Sequence, residues 1–136
     1  MTKNREELKG LLNTRRFATT IGLAGLAAVH VIDLPGKWAE TPYLAWGYIG
    51  IIVAAAILCE RLFKSGRASD FLATAGLALA VLAGFIVNRT VGMPGAMGDI
   101  GNWFEPLGLL SLVVEAFTIY QAVEGWRLAK RMVAYA

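Results

Sequence analysis

Four long apolar stretches dominate this sequence of 136 residues and restrict what the chain can fold into. Each has close to the roughly 20 mainly apolar residues that an α-helix needs to cross the hydrocarbon layer. Only helices and closed barrels satisfy every backbone N–H and C=O in lipid, and these stretches lack the alternation of barrel strands. The sequence therefore predicts four transmembrane helices, at about residues 17–34, 43–63, 71–88 and 107–126.

The composition supports one membrane domain and little else. Hydrophobic residues make up 57% of the chain and charged residues only 17%, whereas a soluble domain carries about a quarter charged residues. The connections between the stretches are too short to fold alone, which leaves one domain over residues 1–136. We predict an all-α polytopic membrane protein, a four-transmembrane-helix bundle. An ordinary soluble enzyme, a disordered chain and a disulfide-stapled secreted domain are excluded.

The basic residues predict the orientation of this bundle. Only Lys37 and Arg89 fall in the connections after the first and third helices, which makes residues 35–42 and 89–106 the outer loops. Both termini are then cytoplasmic, and residues 1–16 form an amphipathic segment on the inner leaflet. A nucleic-acid partner is not expected, because the basic residues divide among three segments. The other eleven are Lys3, Arg5, Lys9, Arg15, Arg16, Arg61, Lys64, Arg67, Arg127, Lys130 and Arg131.

Glycine, alanine and proline predict how the helices end and pack. Pro35 and Gly36 are expected to end the first helix. Two rows of small residues at four-residue spacing would let helix backbones approach closely. We expect the rows to serve packing within the bundle, with contact between copies or with other subunits as the alternative. The rows are Thr20, Ala24 and Ala28 on the first helix and Gly76, Ala80 and Gly84 on the third.

Polar residues that suit metal or proton chemistry gather on the predicted outer side. His30 and Asp33 are three residues apart and share one face of the first helix, and Glu40 follows in the loop. With Glu115 of the fourth helix they would supply one imidazole and three carboxylates, a set suited to a divalent metal or a proton relay. The identity of a cofactor stays open, but a bis-histidine haem within one chain is excluded because His30 is the only histidine.

Glu115 is the most informative residue, because a carboxyl group at membrane depth is costly unless it is protonated, paired or hydrated. It is either functional or part of a structural pair with Arg89 or His30, and we keep both interpretations. We expect Arg89 to contact Asp33, Glu105 or Glu115. The wider polar cluster is predicted to contain Lys37, Arg89, Asp99, Glu105 and Glu115.

One segment resembles a known group of proteins. Arg-Thr-Val-Gly-Met-Pro-Gly begins at Arg89, Glu-Pro-Leu-Gly begins at Glu105, and Ser-Leu-Val-Val-Glu ends at Glu115. This pattern resembles the signature of small, uncharacterised bacterial membrane proteins with four helices. Met93 stands where the group has leucine, and residues 96–102 are a glycine-rich variant. The resemblance implies a four-helix fold and a bacterial cytoplasmic membrane and marks Arg89, Glu105 and Glu115, but it implies no activity.

Three functional hypotheses follow. The first is a non-catalytic subunit that stabilises a larger membrane assembly or associates with its own copies. The second is a protein that binds or transports an ion, a proton or a divalent metal through the outer polar cluster. The third is a membrane enzyme acting on a lipid or quinone. The sequence lacks nucleotide-binding, serine-hydrolase and zinc-protease motifs, so a non-catalytic role is favoured.

Overall fold

The computed structural model describes residues 2–136, and within that range it contains helices and no strand. All four long helices are long and apolar enough to cross a membrane, which confirms the predicted all-α fold with four helices of transmembrane length. A single 3₁₀ turn, Met97–Asp99, lies in the last connection. The helices are α1 (Thr2–Glu40), α2 (Pro42–Lys64), α3 (Ala68–Thr90) and α4 (Pro106–Ala134).

Successive helices run antiparallel. Tyr48 of α2 bonds back to Asp33 of α1, and Arg16 near the start of α1 bonds to the carbonyl of Leu62 near the end of α2. Helix α4 returns along both α1 and α3, whereas α2 and α3 are the loosest pair of chain neighbours. We call the end that holds Thr41 and residues 91–105 the loop end, and the end that holds both chain termini the terminal end.

Helix α1 is longer than expected, and the prediction that Pro35 ends it is wrong. Residues 2–16, predicted to be an amphipathic segment, continue without a break into the same 39-residue helix. At 1.5 Å per residue the helix is about 58 Å long, roughly twice the hydrocarbon thickness. Proline removes one helical hydrogen bond, but contacts beyond it hold the last turn. Lys37 pairs with Asp99, and the Thr41 N–H directly after the helix donates to the Lys37 carbonyl.

The connection between α3 and α4 folds over the loop end through repeated glycine turns. Gly92, Gly95 and Gly101 have positive φ, a conformation that other residues adopt only at a cost. A side chain at Gly92 would also overlap Met97 and Ile100. Helix α4 then begins at Pro106 after Glu105, one residue before the predicted start.

The seam of α4 explains how the bundle closes. Its buried positions alternate at three- and four-residue spacing, as in a left-handed coiled coil. Small residues fill most of this seam, so neighbours approach closely: a Cβ on Gly125 would overlap the Phe71 ring. Glu115 is the only large residue in it. The buried positions are Gly108, Ser111, Glu115, Thr118, Ala122, Gly125 and Ala129.

The two rows of small residues predicted for packing inside the bundle do not serve it. Gly76 and Ala80 on α3 and Ala24 and Ala28 on α1 are exposed, and a Cβ on Gly76 would meet nothing within 4 Å. Close approach occurs instead at other glycines, such as Gly22 on α1 against Thr118. The four-residue spacing does mark a row of small side chains on each helix. These rows lie on the outer faces of the helices and not on the faces that pack inside the bundle.

A close-packed apolar core fills the terminal half of the bundle. Leu23, Leu62 and Phe71 are completely buried there, and Leu26 is 1% exposed. The buried carboxylate of Asp70 closes this end through an ion pair with Arg61. The loop half is built differently, because it encloses a cavity.

Candidate functional site

A cavity of about 280 Å³ lies between all four helices in the loop half of the molecule. It has room for several water molecules, each of which occupies about 30 Å³ in the liquid. Apolar side chains form most of its wall, and polar residues project from every helix. The polar residues of its interior are His30, Asp33, Tyr48, Ser111 and Glu115, and those of its rim are Lys37, Asn88, Arg89 and Glu105.

Arg89 organises the rim. This side chain is only 6% exposed, and its guanidinium lies 2.6 Å from the Glu105 carboxylate and 3.4 Å from Asp99. The same group stacks on the Phe85 ring, 4.8 Å from its centroid. The prediction that Arg89 contacts Asp33, Glu105 or Glu115 is therefore confirmed, through Glu105. Because α3 and the start of α4 supply the two partners, the pair joins these helices at the loop end.

Asp99 neutralises the second cation of the rim. Its carboxylate accepts hydrogen bonds from Lys37, at 3.2 Å, and from the Asn88 amide, at 3.0 Å. Burial alone would raise the pKa of Asp99, but the Asn88 bond and the charges of Lys37 and Arg89 outweigh burial and lower it. Both rim cations, Lys37 and Arg89, are thus paired with carboxylates at the loop end.

His30, Asp33 and Tyr48 form one polar group in the interior. Tyr48 donates a hydrogen bond of 2.9 Å to the Asp33 carboxylate, and its ring packs edge-on against the His30 imidazole. The Nδ1 atom of His30 lies 2.8 Å from the Leu26 carbonyl, which can only accept. In the neutral ring Nδ1 therefore carries the proton and Nε2 is left as an acceptor.

Glu115 lies deepest and is 1% exposed. Ser111, one turn earlier, donates a 2.6 Å hydrogen bond to its Oε1 atom, while Oε2 has no partner in the part of the chain described, residues 2–136. Glu115 forms no ion pair within that range, so the interpretation as a structural pair with Arg89 or His30 is wrong. The side chain does not face lipid; it closes the inner end of the cavity.

Three buried polar atoms on residues of the cavity wall have no hydrogen-bond partner within residues 2–136. They are Oε2 of Glu115, Oδ1 of Asn88 and Nε of Arg89. A buried polar atom left unpaired costs about 1–3 kcal/mol, and such atoms are rare in native proteins. All three residues line the same cavity, which is where a bound molecule would supply partners that the chain does not.

The structure separates the four residues predicted as metal ligands. His30, Asp33 and Glu115 line the cavity, but Glu40 lies outside it with 70% of its side chain exposed. No group of three or more histidine, cysteine, aspartate or glutamate side chains in residues 2–136 is placed to hold a metal ion. Of the predicted polar cluster, Lys37, Arg89, Glu105 and Glu115 line the cavity, and Asp99 contacts the rim cations without lining it.

Sequence reasoning missed the part of α2 in this site. None of the predicted site residues lies on the second helix, but Tyr48 contributes its hydroxyl group from there. Two further residues of the site were not predicted. Asn88 directly precedes Arg89, and Phe85 lies one turn before Arg89. A tyrosine and an asparagine within apolar spans were the signals available.

Comparison of the chain with protein-family models, with characterised proteins and with solved structures finds no match. The chemistry of the cavity therefore carries the functional argument. Its rim is a balanced set of charges, and its interior is an apolar chamber with an imidazole, two carboxyl groups and a phenol. This arrangement can bind and orient a small polar molecule or ion that has some apolar surface.

Proposed function

We propose that this protein is a multi-pass membrane protein that binds a small molecule or ion in the cavity between its four helices. The observation that carries the proposal is the buried Glu115 carboxyl group, whose Oε2 atom lacks a partner at the inner end of the cavity. Ionisable residues at membrane depth are expensive and usually mark binding sites or ion pathways. The proposed role is binding rather than catalysis.

The basic residues support an orientation for this site. Eleven of the thirteen lie towards the terminal end, so we propose that both termini are cytoplasmic and that the cavity occupies the outer half of a bacterial cytoplasmic membrane. The resemblance to small bacterial membrane proteins supports this choice of membrane. The residues that it marks, Arg89, Glu105 and Glu115, all line the cavity. The proposed ligand is not a resident divalent metal, because the predicted metal ligands do not form a group of three in residues 2–136.

The test compares three probes of similar size and different charge: 2-phenylethylammonium, 2-phenylethanol and phenylacetate. Each is titrated calorimetrically into the protein in lipid nanodiscs, with empty nanodiscs as the blank. Gly84 lines the cavity and a Cβ there meets nothing within 4 Å, so Gly84→Leu fills the cavity without a clash at Cβ. Gly76→Leu on the same helix is the matched control, because Gly76 has equal space but does not line the cavity.

The proposal expects at least one probe to bind wild-type protein and Gly76→Leu, and to bind Gly84→Leu at least about tenfold more weakly, a loss of about 1.4 kcal/mol. It fails if no probe binds, or if the bound probe is indifferent to Gly84→Leu.

A separate observation favours a second role, as a non-catalytic subunit of a larger assembly or a homo-oligomer. Gly47 and Gly50 on α2 and Gly76 and Ala80 on α3 form an exposed surface of small residues that nothing in residues 2–136 covers. Such surfaces are where membrane helices approach each other most closely. Gly47 and Ala80 of this surface also line the cavity, so a partner seated here would cover that side of the cavity.

The mass of the purified protein in detergent tests the second role. We expect the wild-type protein to have a mass larger than that of the 14.6 kDa chain. The Gly76→Leu variant should have the mass of a single chain. Gly10→Leu is the control, since Gly10 also has open space but lies on the N-terminal extension of α1. A monomeric wild type, or a complex unchanged by Gly76→Leu, would contradict assembly through this surface.

A further inference from the structure

We infer that the cavity takes an organic ammonium ion with a short apolar body, held by the carboxyl group of Glu115. This inference rests on the proposed binding function and names the class of ligand. Four features of the cavity lead to it: its charge balance, its free hydrogen-bonding atoms, the character of its wall and its access from the membrane.

The charges of the site leave an excess of carboxyl groups in the interior. At the rim, Lys37 and Arg89 are both paired with Asp99, and Arg89 is paired with Glu105. Deeper in, no lysine or arginine of residues 2–136 forms an ion pair with Asp33 or Glu115. A cation that enters the chamber would therefore meet acidic groups that form no ion pair with a lysine or arginine. The attraction between opposite charges is stronger in these surroundings than in water.

The free hydrogen-bonding atoms are mainly acceptors. Glu115 Oε2 and Asn88 Oδ1 have no partner, and the proton of His30 on Nδ1 leaves Nε2 as an acceptor. The only unpartnered buried side-chain donor among residues 2–136 is Arg89 Nε, which belongs to the rim. An ammonium group offers up to three N–H donors, so it complements this set, whereas a carboxylate would bring further acceptors.

The wall of the cavity favours an organic cation over a bare metal ion. Leu44, Ile51, Leu77, Val81 and Leu107 supply apolar surface around the polar interior. Calcium needs six to eight oxygen ligands, and magnesium needs a near-octahedral set. A hydrocarbon body would instead cover the leucine, isoleucine and valine side chains. The Tyr48 ring beside the carboxyl groups adds an aromatic surface of the kind that attracts ammonium ions.

The cavity is accessible from the side that faces lipid. Helices α2 and α3 pack least closely among chain neighbours, and Gly47 and Ala80 on these helices both line the cavity and are exposed. Neither residue carries a side chain large enough to close the gap. An amphiphilic amine dissolved in the membrane could therefore enter between α2 and α3 with its charged group leading towards Glu115.

The three probes used above decide the class of ligand. We expect 2-phenylethylammonium to bind wild-type protein at least about tenfold more tightly than 2-phenylethanol or phenylacetate, because a hydrogen bond to a charged group contributes more than a neutral one. Glu115→Gln keeps the side-chain size and an oxygen for Ser111, and it should weaken ammonium binding about tenfold or more. Glu124→Gln, at an exposed pair with Arg127 away from the cavity, should leave it unchanged.

The outcomes separate this inference from the proposed function. Tight binding of 2-phenylethanol or phenylacetate that Gly84→Leu abolishes, without a preference for the ammonium ion, keeps the function and overturns the ligand class. Equal ammonium affinity in wild type and Glu115→Gln also overturns the inference. Absence of binding by all three probes overturns both. Helical circular dichroism spectra matching wild type show that Glu115→Gln is folded, and Asp33→Asn offers a second variant with the same expected loss.

Discussion

The two halves of this bundle solve the same packing problem in opposite ways. In the terminal half, large apolar side chains such as Phe71 fit closely against glycine on the facing helix. In the loop half, the same four helices enclose about 280 Å³ around ionisable residues. The difference indicates that the terminal half holds the helices together, while the loop half keeps room for something else.

Replacement of Arg89 should give the largest loss of stability. Arg89→Ala removes the buried guanidinium that Glu105 and Asp99 share; breaking a fully buried pair costs about 3–5 kcal/mol, and we expect about 3 kcal/mol because the two carboxylates are partly exposed. The free energy of unfolding in detergent–denaturant mixtures measures the effect. Arg127→Ala, which removes an exposed pair with Glu124, should cost at most about 1 kcal/mol. Equal losses would show that the rim is not a structural centre of the loop half.

One added methyl group distinguishes the close-packed half from the hollow half. Gly125→Ala forces its Cβ into the Phe71 ring and should cost about 1–3 kcal/mol through overpacking. Gly84→Ala places the same group in open space and should stabilise α3 by about 0.5–1 kcal/mol, because alanine favours the helix over glycine. The same unfolding measurement applies. A loss in both variants would mean that the loop half is as closely packed as the terminal half.

The rim should also show a smaller dependence on pH. The folded-state pKa of Asp99 is lowered from its ordinary value of 3.8, so the stability that Asp99 contributes is present above that value. This stability is lost as the pH falls below 3.8 and through the lower pKa of Asp99 in the folded state. The difference in unfolding free energy between wild type and Asp99→Asn should be about 1 kcal/mol at neutral pH and vanish in strong acid. A constant difference across this range would contradict the rim contacts of Asp99.

The sequence predicted those features that depend on local patterns. Apolar stretches of transmembrane length define four helices, and the depth of Glu115 follows from its position along α4. The contact between Arg89 and Glu105 was expected because opposite charges at one membrane boundary pair readily. These properties are set by the bilayer and by chain connectivity, and both can be derived from the order of residues.

Features that depend on how the helices rotate about their axes were not predictable in the same way. Tyr48 joins the site because α2 turns that face towards Asp33, and Gly76 faces outward because α3 packs on α4 through other positions. The passage of α1 through Pro35 depends on tertiary contacts of Lys37. Spacing along one helix identifies the members of a face, but only the facing helices decide which face is buried.

The most direct test of the contrast between the halves is the stability of Glu115→Met. If Glu115 is kept for a ligand, an apolar side chain of similar size should remove the cost of its unpaired Oε2 atom. Replacing buried ionic groups by hydrophobic ones can stabilise a protein by about 1–4 kcal/mol. We predict that Glu115→Met unfolds with a higher free energy than wild type and no longer binds 2-phenylethylammonium. A variant that is less stable and retains this binding would contradict the account.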